Sequence, residues 1–178
     1  MKTLLPILIT LIVPRILPAQ THWKVSSSSV TFKIKNAGFT VNGSFGGLIA
    51  DIQFDAANYA SGSIEASVDV NSLNTGIELR NSDLKREKYF NASKYPRISI
   101  KSISFSKQKD GTFNSFFKLT MKGVTKKIDI PFSYNEKENT AVFKGSFTLN
   151  RRDYSVGGNS WTMSDEVTIS IIMSAAKQ

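Results

Sequence analysis

The chain has 178 residues, a formal net charge of +9 and no cysteine. That length suits one domain able to bury its own core. The lack of cysteine excludes disulfides, thiolate metal sites, cysteine nucleophiles and a lipid anchor on an N-terminal Cys. Charged residues make up 21% of the chain, so the basic balance is spread over a fold rather than gathered in a tail.

In chain order the first element is a targeting segment. "MKTLLPILITLIVPRILPAQ" opens on Lys2, carries an apolar run from Leu4 to Val13, and places the small Ala19 before Gln20. This is the layout of a secretory signal peptide, expected to span residues 1–19 and to leave a domain of residues 20–178. Pro6, Pro14 and Pro18 argue against a buried helix, and the run is too short for a membrane span. Removing Lys2 and Arg15 would lower the charge from +9 to +7. A periplasmic or secreted bacterial location is expected, which argues against nucleic acid as a partner. Lys33, Lys35, Lys118, Lys122 and Lys127 alternate with apolar residues or flank them. They read as a solvated sheet exterior that would also suit an anionic membrane surface.

Strand patterns follow almost without interruption. Val30, Phe32 and Ile34 alternate with polar residues, as do Phe39, Val41, Gly43 and Phe45. After Gly46-Gly47 the apolar parity switches to Leu48, Ala50, Ile52 and Phe54, which reads as a bend within one long strand. Ile64 to Val70 come next. Ile98 and Ile100 then change parity to Ile103 and Phe105. Phe113 to Met121, Ile128 to Tyr134, Phe143 to Leu149 and Val167 to Met173 complete the set. Turn chemistry separates the runs: "NAG" at 36–38, "DG" at 110–111, "GVT" at 123–125 and "NEKEN" at 135–139.

About eight strands with short connections indicate an all-β antiparallel barrel or sandwich, and glycine bends within long strands favour the barrel. Residues 71–96 lack alternation. Asn74 or Thr75 as a cap, Glu78 at capping-box spacing and Pro96 as a stop predict one or two short helices there, placed between the fourth and fifth strands. Such helices are too short to cover the apolar faces, which must therefore face one another. They enclose either a packed core or a ligand.

The scan for chemistry excludes more than it finds. His22 is the only histidine, no GxSxG elbow occurs, and no DxDxDG calcium loop appears. "GSFGG" lies within a strand and signals a bend rather than a phosphate loop. Asp51, Asp55, Glu65 and Asp69 read as an exterior sheet face before they read as an acid–base pair. Trp23 and Trp161 are candidates for an aromatic interface, against the commoner reading of plain packing. No catalytic residue and no metal ligand is assigned.

Four separated motifs carry a family resemblance. They are "WKVSSSSVTFKIKNAGFTVNGSFGG", "SLNTGIELRNSDLKREKYFNASKYPRISIKS", "KLTMKGVTKKIDIPF" and "LNRRDYSVGG" with "SDEVTISI". In this order, from about Trp23 to Ala176, the chain resembles the YceI-like family of periplasmic lipid-binding proteins. The resemblance implies an eight-stranded antiparallel lipocalin-like barrel. It also implies a non-enzymatic role: enclosing the long apolar tail of an isoprenoid quinone, a polyisoprenoid or a similar amphiphile for transport or storage. No cofactor other than such a bound lipid is expected. The alternatives are an enzyme acting on a lipid or small amide in the same cavity, and an interaction module with a filled barrel.

Alternation and resemblance together nominate the tail lining: Phe32, Val41, Phe45, Ile64, Val68, Phe117, Leu119, Met121, Ile130, Phe132, Phe143 and Phe147. Each reads equally as packed core. Arg80 and Arg151 match the family motifs and are candidates for a polar headgroup. The competing role, favoured slightly, is structural pairing with Asp83 and Asp153. The chain departs from the family at Asp83, where many relatives have His, and at Ser155, where many have Gly.

Overall fold

The computed structural model describes residues 20–178, so the predicted signal segment 1–19 lies outside the described residues. Eight strands follow one another: β1 (His22–Asn36), β2 (Phe39–Gln53), β3 (Ser63–Asn74), β4 (Arg97–Lys107), β5 (Phe113–Met121), β6 (Val124–Lys137), β7 (Thr140–Asn150) and β8 (Met163–Lys177). Each pairs antiparallel with the next, and β8 pairs with β1 to close a barrel. Closure rules out the sandwich and leaves no sheet edge.

Tight turns set the register. Ala37-Gly38 and Lys122-Gly123 both have two successive positive φ values, the backbone that joins twisted antiparallel strands in two residues. The third turn is therefore at Lys122-Gly123 rather than at 123–125, and Val124 and Thr125 already belong to β6. The strand signal also begins earlier than the alternation. The serine-rich stretch after Val25 pairs with β8 across a register shift, so its side chains do not follow the simple pattern.

The Gly46-Gly47 bend is present. Register shifts flank Gly46, and Gly47 has φ +61°. A second shift lies between Ser102 and Ser104; it leaves Ile103 on the outer surface and turns Phe105 inward.

The inserted helix differs from the expectation in two ways. Among the described residues a single α-helix, α1 (Glu78–Lys85), follows the third strand rather than the fourth, since only β1, the bent β2 and β3 precede it. The capping box is not formed either. Gly76, at φ +78°, turns the chain between Thr75 and the helix, and the N-cap is Ile77 with no side-chain cap. Thr75 is held instead by buried Asn81, whose Oδ1 accepts from the Thr75 N–H at 2.8 Å and from its hydroxyl at 2.7 Å.

The connections sort to two ends. The β1–β2 and β5–β6 turns, α1 with its following segment, and a 3-10 turn at Arg151–Tyr154 lie at one end. The β2–β3 loop, the β4–β5 and β6–β7 hairpins and the C-terminus lie at the other. That second end is plugged by aromatic rings. Phe54, fully buried, meets Tyr134 at 5.0 Å, Phe113 at 5.1 Å, Phe105 at 5.3 Å and Phe132 at 5.7 Å between centroids, mostly edge to face. Buried Trp23 donates from Nε1 to the Phe54 carbonyl at 2.8 Å, which ties the plug to the start of β1.

Candidate ligand cavity

Between the plug and α1 the inward side chains do not meet at the barrel axis. They leave two confluent spaces of about 120 Å³ each. The smallest void that holds one water is roughly 10–15 Å³ by the same kind of measure. Protein interiors rarely leave voids larger than a water molecule, so this interior is built open.

The deeper space is walled by residues that alternate inward along all eight strands. Ile64, Val68, Phe117, Leu119, Ile130, Phe132, Phe143 and Phe147, all nominated from the sequence, line it. Phe32, Phe45 and Met121 face both spaces. Val41, Arg80 and Arg151 line the shallower one beneath α1. Every nominated residue thus faces one cavity system. Sequence reasoning did not nominate Leu48, Ile98, Ile100, Leu149, Ile169 or Ile171 in the walls, although all sit in recognised strand runs. It also left out the roof residues Leu84, Tyr89 and Phe90. Phe90 meets Phe45 at 5.5 Å, edge to face, and Phe45 meets Phe32 at the same distance.

Phe32 can lie across the barrel wall because its strand partner is Gly43. A Cβ on Gly43 would sit 2.2 Å from the Phe32 ring. A glycine here makes room for an aromatic side chain, which is a packing role rather than a conformational one.

The two arginines differ. Arg151 is 3% exposed, and protein groups take up most of its donors. Nη1 donates to the carbonyls of Val156 and Gly158, Nε to Ser164, and Nη2 to Asp165 at 2.8 Å. Its carboxylate partner is Asp165, not Asp153, which pairs with Lys126 at 2.9 Å. The loop after the 3-10 turn folds back over Arg151 and brings Asp165 to it. Among the described residues Arg80 donates only to Thr75, from Nε to Oγ1 at 2.8 Å and from Nη2 to the carbonyl at 2.7 Å. Asp83 pairs with Arg86 rather than with Arg80. Arg80 therefore lines the shallow space with donors left over from its two bonds to Thr75, whereas the guanidinium of Arg151 chiefly pins a loop.

Tyr154 is buried beside Leu119 and Met121, and its hydroxyl has no protein partner. Burial, with a further contribution from the Asp153 charge, pushes its pKa up to about 12. Ser155 follows in the left-handed region at φ 56°. A non-glycine residue is uncommon there, so Ser155 holds a backbone conformation that glycine would adopt more cheaply. The Ser155 carbonyl accepts from Lys122 Nζ at 2.6 Å, and burial lowers the pKa of that ammonium.

A profile described as the YceI-like domain matches residues 22–175, essentially the whole described barrel. The chain belongs to the YceI-like family. A UPF0312 protein of Shewanella denitrificans is 24% identical over 162 residues, covering 87% of this chain and 85% of that one. The crystal structure of Burkholderia cenocepacia BcnA superposes with a TM-score of 0.82 at 26% identity, covering 86% of this chain and 99% of that one. A polyisoprenoid-binding domain from Saccharophagus degradans, implicated in plant cell wall breakdown, superposes with a TM-score of 0.69 at 15% identity. It covers 90% of this chain and 100% of that one, and at this identity the likeness speaks to the fold. The YceI-like barrel here thus shares its architecture with solved relatives over nearly its full length.

Proposed function

We propose that this YceI-like protein is an exported, non-enzymatic carrier or store for a long-chain lipid, whose apolar tail lies inside the barrel. The carrying observation is the pair of confluent apolar spaces between the aromatic plug and α1. The walls of the deeper space are almost all aliphatic and aromatic side chains, which suit a hydrocarbon chain, whereas the shallower one adds Asn36, Arg80 and Arg151 at the α1 end. An isoprenoid quinone, a polyisoprenoid or a similar amphiphile fits that description, and the ligand named for the Saccharophagus degradans domain points to the same class. Phe32, Val41, Phe45, Ile64, Val68, Phe117, Leu119, Met121, Ile130, Phe132, Phe143 and Phe147 are the proposed tail contacts. Arg80 is the proposed headgroup donor, with Arg151 in the supporting role its hydrogen bonds describe. Among the described residues, the deeper space is lined by no carboxylate, lysine or histidine, which favours binding over acid–base catalysis.

The deciding experiment is mass spectrometry of an organic extract from protein purified out of a bacterial envelope. A long-chain isoprenoid or quinone in near-stoichiometric amount is the expected result. A lipid-free extract from folded protein overturns the reading. Intact mass of the same material tests export, which requires the loss of residues up to Ala19.

A further inference from the structure

The most exposed large apolar side chains among the described residues are not scattered. Phe39 is 77% exposed, Leu79 is 80% exposed and Trp161 is fully exposed. Phe39 follows the β1–β2 turn, Leu79 lies in the first turn of α1, and Trp161 precedes β8, so all three sit at the α1 end. The connections there are tied together. The Ala37 N–H donates to the Thr162 carbonyl at 2.8 Å, bringing the Phe39 turn beside the Trp161 loop. Arg80, next to Leu79, lines the same shallow space as Asn36, Val41 and Met163. The three prongs therefore stand on three separate segments at the end of the barrel where the shallow space lies.

Charge is sorted the same way. The connections 75–96, 122–123 and 151–162 at this end carry eight Lys or Arg against four Asp or Glu. The connections 54–62, 108–112 and 138–139 at the plugged end carry one against three. Arg86, Lys88, Lys94 and Arg152 are exposed on the basic end.

We propose that the α1 end is a docking face for an anionic lipid bilayer. Phe39, Leu79 and Trp161 insert at the headgroup level, and Arg86, Lys88 and neighbouring basic side chains meet lipid phosphates. Separate apolar prongs around a basic rim match a fluid, negatively charged interface, where aromatic and aliphatic tips bury and cations stay at the phosphates. A rigid protein partner would instead call for one contiguous patch or groove. The geometry also places the cavity mouth against the bilayer, so an apolar tail passes between membrane and barrel without crossing water. In that last respect the inference rests on the carrier reading above.

Trp161 supplies the test, because the other tryptophan, Trp23, is buried and reports little. The protein as purified from the bacterial envelope is mixed with phosphatidylcholine vesicles, with and without phosphatidylglycerol. Co-sedimentation is measured together with tryptophan emission. The expected result is binding to the anionic vesicles with a blue shift of Trp161, weakened by added salt. Combined Phe39→Ser, Leu79→Ser and Trp161→Ser changes are expected to weaken binding by at least about tenfold, since each removes a large apolar side chain from the interface. Combined Arg86→Gln, Lys88→Gln and Lys94→Gln changes are expected to reduce the preference for phosphatidylglycerol while retaining the blue shift. Melting curves check that both variants fold. Equal binding by parent and prong variant overturns the proposal, as does absence of binding. A dimer in solution that the prong variant abolishes also overturns it, by assigning the face to a second copy of the chain. Extracted lipid is measured on the same preparations. Lipid retained without vesicle binding sinks the docking face alone, whereas vesicle binding by lipid-free protein supports the docking face and sinks the carrier reading.

Discussion

The two halves of this barrel are built by the same eight strands with the same alternation, yet one is packed and the other is open. In the plugged half the inward positions are Phe54, Phe105, Phe113, Phe132 and Phe143, and their rings reach the axis. In the open half Phe32, Phe45, Phe117 and Phe147 alternate with the smaller Ile64, Ala66, Val68, Ile98, Ile100 and Leu119, and a space remains between the walls whose floor is Phe132 and Phe143. A barrel of eight strands is just wide enough for either outcome. The size of the inward side chains, not the strand pattern, separates the packed half from the open one. The plug then carries stability, which releases the other half from close packing.

The largest break in this comparison is expected from removing the plug. Phe54→Ala should destabilise by about 3–5 kcal/mol, the range for large-to-small changes at fully buried aromatics. Thermal or urea unfolding measures it, and Leu119→Ala at the cavity wall should cost less. A drop below about 1 kcal/mol for Phe54→Ala would mean that the two halves are not distinct in packing.

Adding volume to each half sharpens the contrast. Ser115 and Ala66 are both inward and buried, one among the plug rings and one on the cavity wall. Ser115→Trp overpacks a dense site and should cost at least about 1–3 kcal/mol. Ala66→Trp should fold with a smaller loss and exclude the extractable lipid. An equal loss of stability in both would show that the open half is as tightly packed as the plug.

Gly47 tests whether the bend is what turns both halves of β2 inward. A Cβ there would sit 3.0 Å from Asp69 Cβ on a backbone with φ +61°, so Gly47→Val should cost about 1–3 kcal/mol. Gly46 lacks the positive φ, and a Cβ there would come no nearer to Ser72 than 3.5 Å, so Gly46→Val should be milder. Melting temperatures of the two variants should separate in that order.

The smallest effect concerns pH. Tyr154 holds its proton more tightly when folded, with a pKa near 12 against an ordinary value of 10.0. Its contribution is therefore complete below about pH 10 and is lost as pH rises through about 12. Tyr154→Phe should flatten part of the alkaline decline in stability. At neutral pH it should be neutral or slightly stabilising, by up to about 1 kcal/mol, because the buried hydroxyl lacks a protein partner. Tyr134, whose pKa burial and the Glu136 hydrogen bond also raise, will account for part of what remains.

Much of the fold was legible because a period of two states which face each residue presents, and the glycine pair announced where that period slips. The nominated lining residues rest on that alternation together with the family resemblance, and Phe32 to Phe147 all face the cavity. What alternation cannot state is depth along the axis, and so it does not tell the plug ring Phe54 from the wall residue Ile64. Pairings made by returning loops were equally hidden. Arg151 meets Asp165 through a fold-back of the loop after the 3-10 turn, and proximity in sequence pointed to Asp153. The capping box failed for a related reason: Gly76 breaks the geometry that the Thr75–Glu78 spacing assumes. The open-end prongs were visible as residues but not as a set, since three segments far apart in sequence assemble them.

The seam between β1 and β8 has a kinetic consequence. The Ser26 hydroxyl reaches the Ser174 carbonyl at 3.0 Å across 148 residues of sequence. Closing so long a loop is entropically unfavourable and, in sheet proteins generally, slow. Until that seam forms, the barrel is an open sheet with two free edges and an uncovered apolar face, the state most prone to aggregation. The cavity therefore does not mature piece by piece along the chain. It comes into being in one late event, when the last strand finds the first.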